Sequence, residues 1–386
     1  MSIMSALKIS RRPATGFVVV GMFWGCFAAY VPEIKAQLGA SDALFGMLLL
    51  GSATGLVSAM WLAPKMDRSL GNRSMQVAAC LLAFAWLWPG LVTLPVLFFA
   101  VMCGVGMASG LLDVIMNARV SELEASHSRS LMNANHAMFS LSYAVAALIT
   151  GAAREAGLPP VMVLAGFGVL TLLALPILRM EVAVVEEPET GRGRYPLWPI
   201  LICGAIVLVA FMSEATVEAW SALHVERTLG GGAAEGALGP AMLGLTMMIG
   251  RFSGQVVAER LREVTVIYWA ALMASAGALI ASVAPTPLIA YVGFGVLGLG
   301  VSVIGPMGLA LVGRMVPPHL RTEAISRAAV IGFSGFFWAP SLMGFVSEGF
   351  GLRVAFACVA VMLLIAIPLA IVMNRMEKDK IAASVA

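Results

Sequence analysis

The sequence predicts an all-α membrane protein whose twelve transmembrane helices form two pseudo-symmetric six-helix bundles. Three observations carry that expectation. Apolar residues fill 60% of 386 positions and charged ones only 12%, against roughly a quarter charged in soluble domains, and the mean hydropathy is +0.94. Apolar stretches of about 20 residues, enough to cross a hydrocarbon core about 30 Å thick, recur along the whole chain. The two halves also echo each other at an offset of about 194 residues, pairing Gly106 with Gly300, Ser140 with Ser334 and Gly157 with Gly351.

The stretches cover 14–38, 42–63, 74–93, 96–118, 132–153, 160–178, 197–222, 238–259, 265–284, 287–313, 327–348 and 352–374. Lipid cannot satisfy backbone hydrogen bonds, so such segments must be helices or closed barrels, and continuous apolar runs without alternation exclude the barrel. The 40 glycines suit helices that pack closely in a membrane. Lys8, Arg11 and Arg12 precede the first segment, but no small-residue cleavage site closes it, so no cleavable signal is expected. The longest connection, Arg179 to Pro196, carries Glu186-Glu187-Pro188-Glu189 and Gly191-Arg192-Gly193-Arg194. It divides the chain into an N-terminal bundle over 1–180, a cytoplasmic linker over 181–196 and a C-terminal bundle over 197–386.

Basic residues set the orientation. With the N-terminus placed in the cytoplasm, nineteen of the 24 Lys and Arg fall on the inner side and four (Lys35, Arg154, Arg227 and Arg353) on the outer, with Arg251 inside a segment. So strong a positive-inside bias requires an even number of crossings and puts both termini in the cytoplasm of a protein in the cell inner membrane. The net charge of +3 reflects that bias and argues nothing for nucleic acid. The five cysteines lie inside apolar segments without CxxC spacing, as small buried hydrophobes.

After the second segment the chain reads Ala63-Pro64-Lys65-Met66-Asp67-Arg68-Ser69-Leu70-Gly71-Asn72-Arg73. This resembles the major facilitator signature G-x-x-x-D-R-x-G-R, in the loop between helices 2 and 3 that the superfamily requires. Ala63 stands where Gly is usual, and one extra residue separates Asp67-Arg68 from Gly71. A weakened copy, Gly250-Arg251 with Glu259-Arg260, occupies the matching place in the second half. The resemblance implies the major facilitator fold, alternating access around a central site, and a gating role for Asp67, Arg68, Arg73 and Arg251.

Two further segments carry a narrower resemblance. Asp113-Val-Ile-Met-Asn117, followed by Met132-Asn-Ala-Asn-His136-Ala-Met-Phe139-Ser140, is similar to the D-x-x-x-N and H-A-x-F-S pattern of the MosC/YbjJ-like branch. Glu214-Ala-Thr-Val-Glu218-Ala-Trp220-Ser221 resembles that branch's E-G-x-x-x-D-W-S, with Ala215 for the Gly and Glu218 for the Asp. What this implies is import or export of a small solute. Related branches are associated with riboflavin and with copper, so the substrate stays open.

Ionisable residues in lipid are costly and are expected to face a cavity between the bundles. Glu214 and Glu218 lie at i and i+4 on one face of the seventh segment. Counting 1.5 Å per residue from its start places both in the periplasmic half. A buried carboxyl disfavours its charged form and so suits proton coupling; a structural hydrogen bond to a neighbouring helix is the alternative. Asp113 and Asn117 share a face of the fourth segment, and His136, Ser140 and Tyr143 one of the fifth. Asp113 and His136 each stand about one turn inside a shared cytoplasmic loop. They read as a second proton site or inner gate, or as a pair that merely pins two helices.

For substrate binding the candidates are Trp24, Tyr30, Asn117, His136, Tyr143, Glu214, Trp220 and Trp338. The tryptophans offer aromatic walls to a planar or sugar-like ligand, although ordinary packing explains each alone. Trp220 is about 240° around its helix from Glu214, so one pocket holds both only if that helix twists or breaks. Glu33 shares a face with Cys26 and Tyr30, and reads first as an interfacial charge beside Lys35.

Soft thioethers would select Cu(I), but the 25 methionines show no M-x-x-x-M or H-x-x-x-M pair in the seventh and eighth segments. No metal site and no cofactor are expected. No nucleophile–base cluster points to an enzyme. The expected partners are a small-molecule solute, protons and the bilayer, for a monomer. A membrane receptor or assembly factor that keeps the fold without transport is the rival of another class, and the buried carboxyls argue against it.

Overall fold

In the computed structural model, which describes residues 3–180, 197–317 and 320–385 (side chains excepting 254–260, 322 and 379–385), every predicted segment contains a helix. A short helix α1 (Ile3–Ile9) precedes α2 (Arg11–Gln37), α3 (Asp42–Leu70), α4 (Ser74–Ala85), α5 (Pro95–His127), α6 (Met132–Glu155) and α7 (Pro160–Leu178). The second set is α8 (Leu197–Leu223), α9 (Ala233–Arg260), α10 (Glu263–Val283), α11 (Pro287–Met315), α12 (Arg321–Phe350), α13 (Leu352–Leu364) and α14 (Ala366–Val385). The linker expected at 181–196 lies outside the described residues. Among the described residues ten helical stretches are long and apolar enough to cross a membrane; Asp42–Ala85, 44 residues long, holds both the second and third segments. The eighth segment is α9.

Local sequence explains the helix ends. Ser41 caps α3 by accepting a bond from the Leu44 amide at 3.3 Å, and Pro95, Pro160 and Pro287 open their helices, where a missing N–H costs nothing. Gly157 and Gly351, paired across the repeat, both turn the chain with positive φ, 72° and 82°. The third segment is shorter than expected. Its helix ends at Ala85 rather than continuing to 93, because Pro89 disfavours helical geometry in the residue before it. Trp86 then turns inward, fully buried.

Helices α2 to α7 pack among themselves, α3 on α5 and α2 on α6 and α7, and α8 to α14 do likewise, α10 on α11 and α8 on α12. The two bundles, the second with its last segment split into α13 and α14, meet along α3–α12, α6–α9 and α2–α8. Small residues allow these approaches. A Cβ at Gly46 would strike the Pro340 carbonyl, and one at Gly244 would lie 2.8 Å from the Tyr143 ring and 2.9 Å from the Ser140 carbonyl. Ala237, Gly244 and Arg251 follow at seven-residue intervals, which keeps all three on the α6 seam.

The helices alternate in direction, so the described chain ends share one face of the protein, the termini face. Among the described residues, hydrogen bonds between the bundles occur near the opposite face or at Arg251. Nearer the termini face, α3 exposes Val57 and Trp61, and α12 exposes Val330. The bundles are closed at the opposite face and part towards the termini face.

Candidate functional site

The centre of the molecule is organised by Arg251 of α9. Its guanidinium donates to Glu214 Oε1 of α8 at 3.2 Å, to the His136 carbonyl of α6 at 3.3 Å and to Ser140 Oγ. One side chain thus joins a carboxylate of its own bundle to two oxygens of the other. Arg251, expected inside an apolar segment and matched there to a weakened copy of the signature, lies inside α9, nine residues before that helix ends, on the side that Gly244 brings against α6. Glu259, of the same expected copy, has no described side chain.

Glu218 lies one helical turn beyond Glu214, and Tyr143 one turn beyond Ser140, so together they form a second layer, deeper from the termini face. Tyr143 is 2% exposed, and its hydroxyl has no hydrogen-bond partner among the described residues.

The depth expected for Glu214 needs correction. Counting from the helix start separated it from His136, yet one guanidinium reaches both. The reason is length: Leu197–Thr228 is a continuous 32-residue stretch, about 48 Å at 1.5 Å per residue. It overruns the bilayer, so its first residue does not mark the membrane surface.

Asp113 and His136 are not hydrogen-bonded to each other. Asp113 accepts from Asn117 Nδ2 at 3.1 Å within α5, while the His136 ring lies edge-on to Phe17 at 4.8 Å. Their helices are adjacent in sequence but pack elsewhere, α5 on α3 and α6 on α2 and α9. The tryptophans do not converge either. Trp24 packs edge-on to Trp86 at 5.0 Å and Trp338 against Phe337. Trp220 meets Phe45 of α3, because α8 stays α-helical between Glu214 and Trp220 and keeps them on different sides. Tyr30 donates its hydroxyl to the Leu158 carbonyl at 2.7 Å, near the opposite face.

At the termini face Asp67 binds Arg119 of α5 at 2.6 Å, and Arg119, 1% exposed, also binds Glu122 at 2.6 Å. Arg68 and Arg73 are exposed. Arg119 is the signature's partner that sequence reasoning missed. Its counterpart at the repeat offset is Arg314 of α11, bound to Glu263 at 2.9 Å and to Glu377 at 2.6 Å.

Two clasps close the opposite face, and the charge count takes their basic members, Lys35, Arg154 and Arg227, only as topology markers. Arg154 of α6 donates to Glu226 Oε1 and Oε2 at 2.7 and 3.1 Å, to Glu33 at 3.0 Å and to the Ala29 carbonyl. Glu33, read first as an interfacial charge beside Lys35, is therefore part of this clasp. In the second clasp Asp42 of α3 accepts both Arg227 nitrogens at 2.8 and 2.6 Å, together with Lys35 at 3.0 Å and Ser347. Glu226 and Arg227 are consecutive, and they grip different helices because a π turn over His224–Thr228 ends α8. Such turns cluster at functional positions.

Comparison with known proteins agrees with this architecture. The sequence profile described as Major Facilitator Superfamily matches residues 14–297 and 202–384. An uncharacterized MFS-type transporter of Yersinia pestis is 27% identical over 362 residues, covering 92% of this chain and 93% of that protein. Membrane protein MosC of Rhizobium meliloti is 26% identical over 347 residues, with 87% and 83% coverage. Among solved structures, an inward-facing, occupied bacterial homolog of the human lysosomal transporter Spinster shares the fold with a TM-score of 0.78 at 16% identity, covering 95% of this chain and 96% of that one. A D-xylose-proton symporter does so at 0.73 and 16% identity, with 96% and 97% coverage.

Proposed function

We propose that this chain, which belongs to the Major Facilitator Superfamily and so to a family of secondary transporters, carries a small solute across the cell inner membrane in exchange or symport with protons. The observation that carries the proton link is Arg251, held between Glu214 of one bundle and Ser140 and the His136 carbonyl of the other. A proton on Glu214 removes the charge that Arg251 neutralises, leaving a weaker neutral acceptor on that side, so the balance of the guanidinium's bonds shifts towards the other bundle. Proton occupancy therefore alters the contact that must change when the two halves, 1–180 and 197–386, rock about a central site.

The excess of Lys and Arg at the termini face supports a cytoplasmic location for that face. The conformation described is then inward-facing, with its clasps at the periplasm. Alkaline phosphatase fused after Arg154 or Arg353 is expected to be active, and fused after Arg73 or Arg194 inactive. The reverse pattern would invert every assignment of inside and outside made here.

Asp67 fits the gating role through Arg119. Asp67→Asn is expected to leave expression and solute binding intact while slowing transport about tenfold. The weakened charge-assisted bond is worth about 1.5–3 kcal/mol, and 1.4 kcal/mol already shifts a two-state balance tenfold. Transport at the parental rate would leave the signature loop without a function in this chain.

The carrier reading itself is tested by a thermal-shift screen of purified protein against polyols, flavins, sugars and metals, since specific binding raises the melting temperature by mass action. Stabilising solutes then go to reconstituted vesicles under an imposed pH gradient. Accumulation that collapses with a protonophore is the expected result; no flux of any stabilising solute would sink the reading.

A further inference from the structure

The two layers at the centre of the molecule are unequally satisfied. In the layer nearer the termini face, Glu214, Arg251 and Ser140 compensate one another. In the deeper layer Glu218 keeps accessible surface and, among the described residues, takes part in no hydrogen bond. In the same layer, on α6, the Tyr143 hydroxyl is buried and, among the described residues, unpartnered. Ser221, a further turn along the same face of α8, is also buried, with a hydroxyl that has no partner among the described residues.

The charges facing this layer make the imbalance specific. Helix α8 brings two carboxyls and α6 brings the Tyr143 hydroxyl and the His136 ring. From α9 comes a single guanidinium, already bonded to Glu214, Ser140 and the His136 carbonyl. One carboxyl is left over. A solute entering from the termini face therefore meets acceptor oxygens backed by negative charge. An anion is repelled there, and a neutral polyol leaves the carboxylate charge uncompensated away from bulk water. A protonated amine supplies the missing charge and the missing N–H donors at once, in bonds roughly twice as strong as neutral ones.

Resting on the carrier reading above, we propose that Glu218 and Tyr143 form a binding site for the ammonium group of a cationic, amine-bearing solute. Glu218 holds the charge, and the Tyr143 hydroxyl accepts a second N–H. Glu214, tied to Arg251, is left free for the proton. The solute and the proton are thereby assigned to different carboxyls one helical turn apart.

The experiment uses the full-length protein in detergent and three probe sets of similar size at one concentration. The sets are protonated amines (tyramine, histamine), neutral hydroxyl compounds (sorbitol, xylose) and carboxylates (citrate, benzoate). The expected result is a rise in melting temperature with amines alone. Glu218→Gln should weaken that binding about tenfold or more, and Tyr143→Phe by a smaller factor. Tyr143→Phe removes one oxygen from a ring already packed, so it serves as the readout should Glu218→Gln fail to fold.

Failure of any amine to stabilise the wild type would overturn the assignment. So would stabilisation by the neutral or anionic set instead, or amine binding unchanged in the variants. The two readings fail separately. A neutral or anionic solute driven by the pH gradient ends the ammonium site and leaves the carrier standing. Amine binding through Glu218 without gradient-driven flux keeps the site and ends the proton link.

Discussion

Glu214→Gln is expected to abolish pH-driven accumulation of solute while leaving counterflow exchange in place. Glutamine keeps the shape of a neutral glutamate, and its carbonyl oxygen still accepts from Arg251. The junction between the bundles therefore survives, and solute can still be exchanged across it. What is lost is the releasable proton. One pH unit is worth about 1.4 kcal/mol, a tenfold concentration ratio. With one proton per solute, the wild type is expected to accumulate solute about tenfold for each unit of imposed gradient, and the variant not at all. A purely structural carboxyl gives a different signature, because stability, uptake and exchange then fall together. Parental uptake by both Glu214→Gln and Glu218→Gln would remove α8 from the coupling mechanism and move attention to Asp113 and His136.

The parts of this molecule that were legible in its sequence are those that lipid enforces. Backbone polar groups in hydrocarbon must bond within their own segment, so each apolar run could be assigned as a helix without knowledge of its neighbours. Lateral packing has no such constraint, and expectations that depended on it fared worse. Asp113 and His136 stand on consecutive helices at similar distances from one loop, yet those helices pack on other partners. Glu214 was assigned a depth by counting from a helix start that overruns the bilayer.

Arg251 was grouped with a loop motif because Gly250-Arg251 resembles one. Only the approach of α9 to α6 at Gly244 reveals its place at the centre. Arg154, Arg227 and Asp42 were harder still. In a sequence, a charge at the end of an apolar segment looks the same whether it faces water or an opposite charge on the other bundle. The one available signal was the run Glu226-Arg227, two opposite charges side by side at a helix end, each able to find its own partner. The acidic partner of the signature aspartate's arginine, Glu122, was hidden in the same way, within a helix that outlasts its apolar run.

Breaking the Arg154–Glu226 clasp is expected to open the face proposed as periplasmic. Glu226→Gln is the informative change, because it removes charge from the fork between the bundles and leaves Arg154 its bonds to Glu33 and Ala29 within one bundle and a single 3.2 Å bond to the Ala233 carbonyl of the other. Hydrogen bonds to charged groups contribute about 1.5–3 kcal/mol, most when buried, and the Arg154 side chain is only 2% exposed. Losing that much from the closed state shifts the balance about tenfold or more towards the open one. The second clasp should count for less, since the Arg227 side chain is 43% exposed and solvent screens the pair. Ser341 provides the reporter: it is buried in the α3–α12 seam and donates to the Gly46 carbonyl at 3.0 Å. In a variant freed of its five native cysteines, Ser341→Cys should react with a membrane-impermeant maleimide, added from outside, about tenfold faster once Glu226→Gln is introduced. Adding Asp42→Asn should raise the rate further, but by less than the product of the separate effects. Both clasps hang from the same π turn, and once one has let go the other holds a helix end that is already loosened. A labelling rate that ignores both changes would mean that close packing at Gly46 and Gly244, rather than paired charge, keeps this face shut.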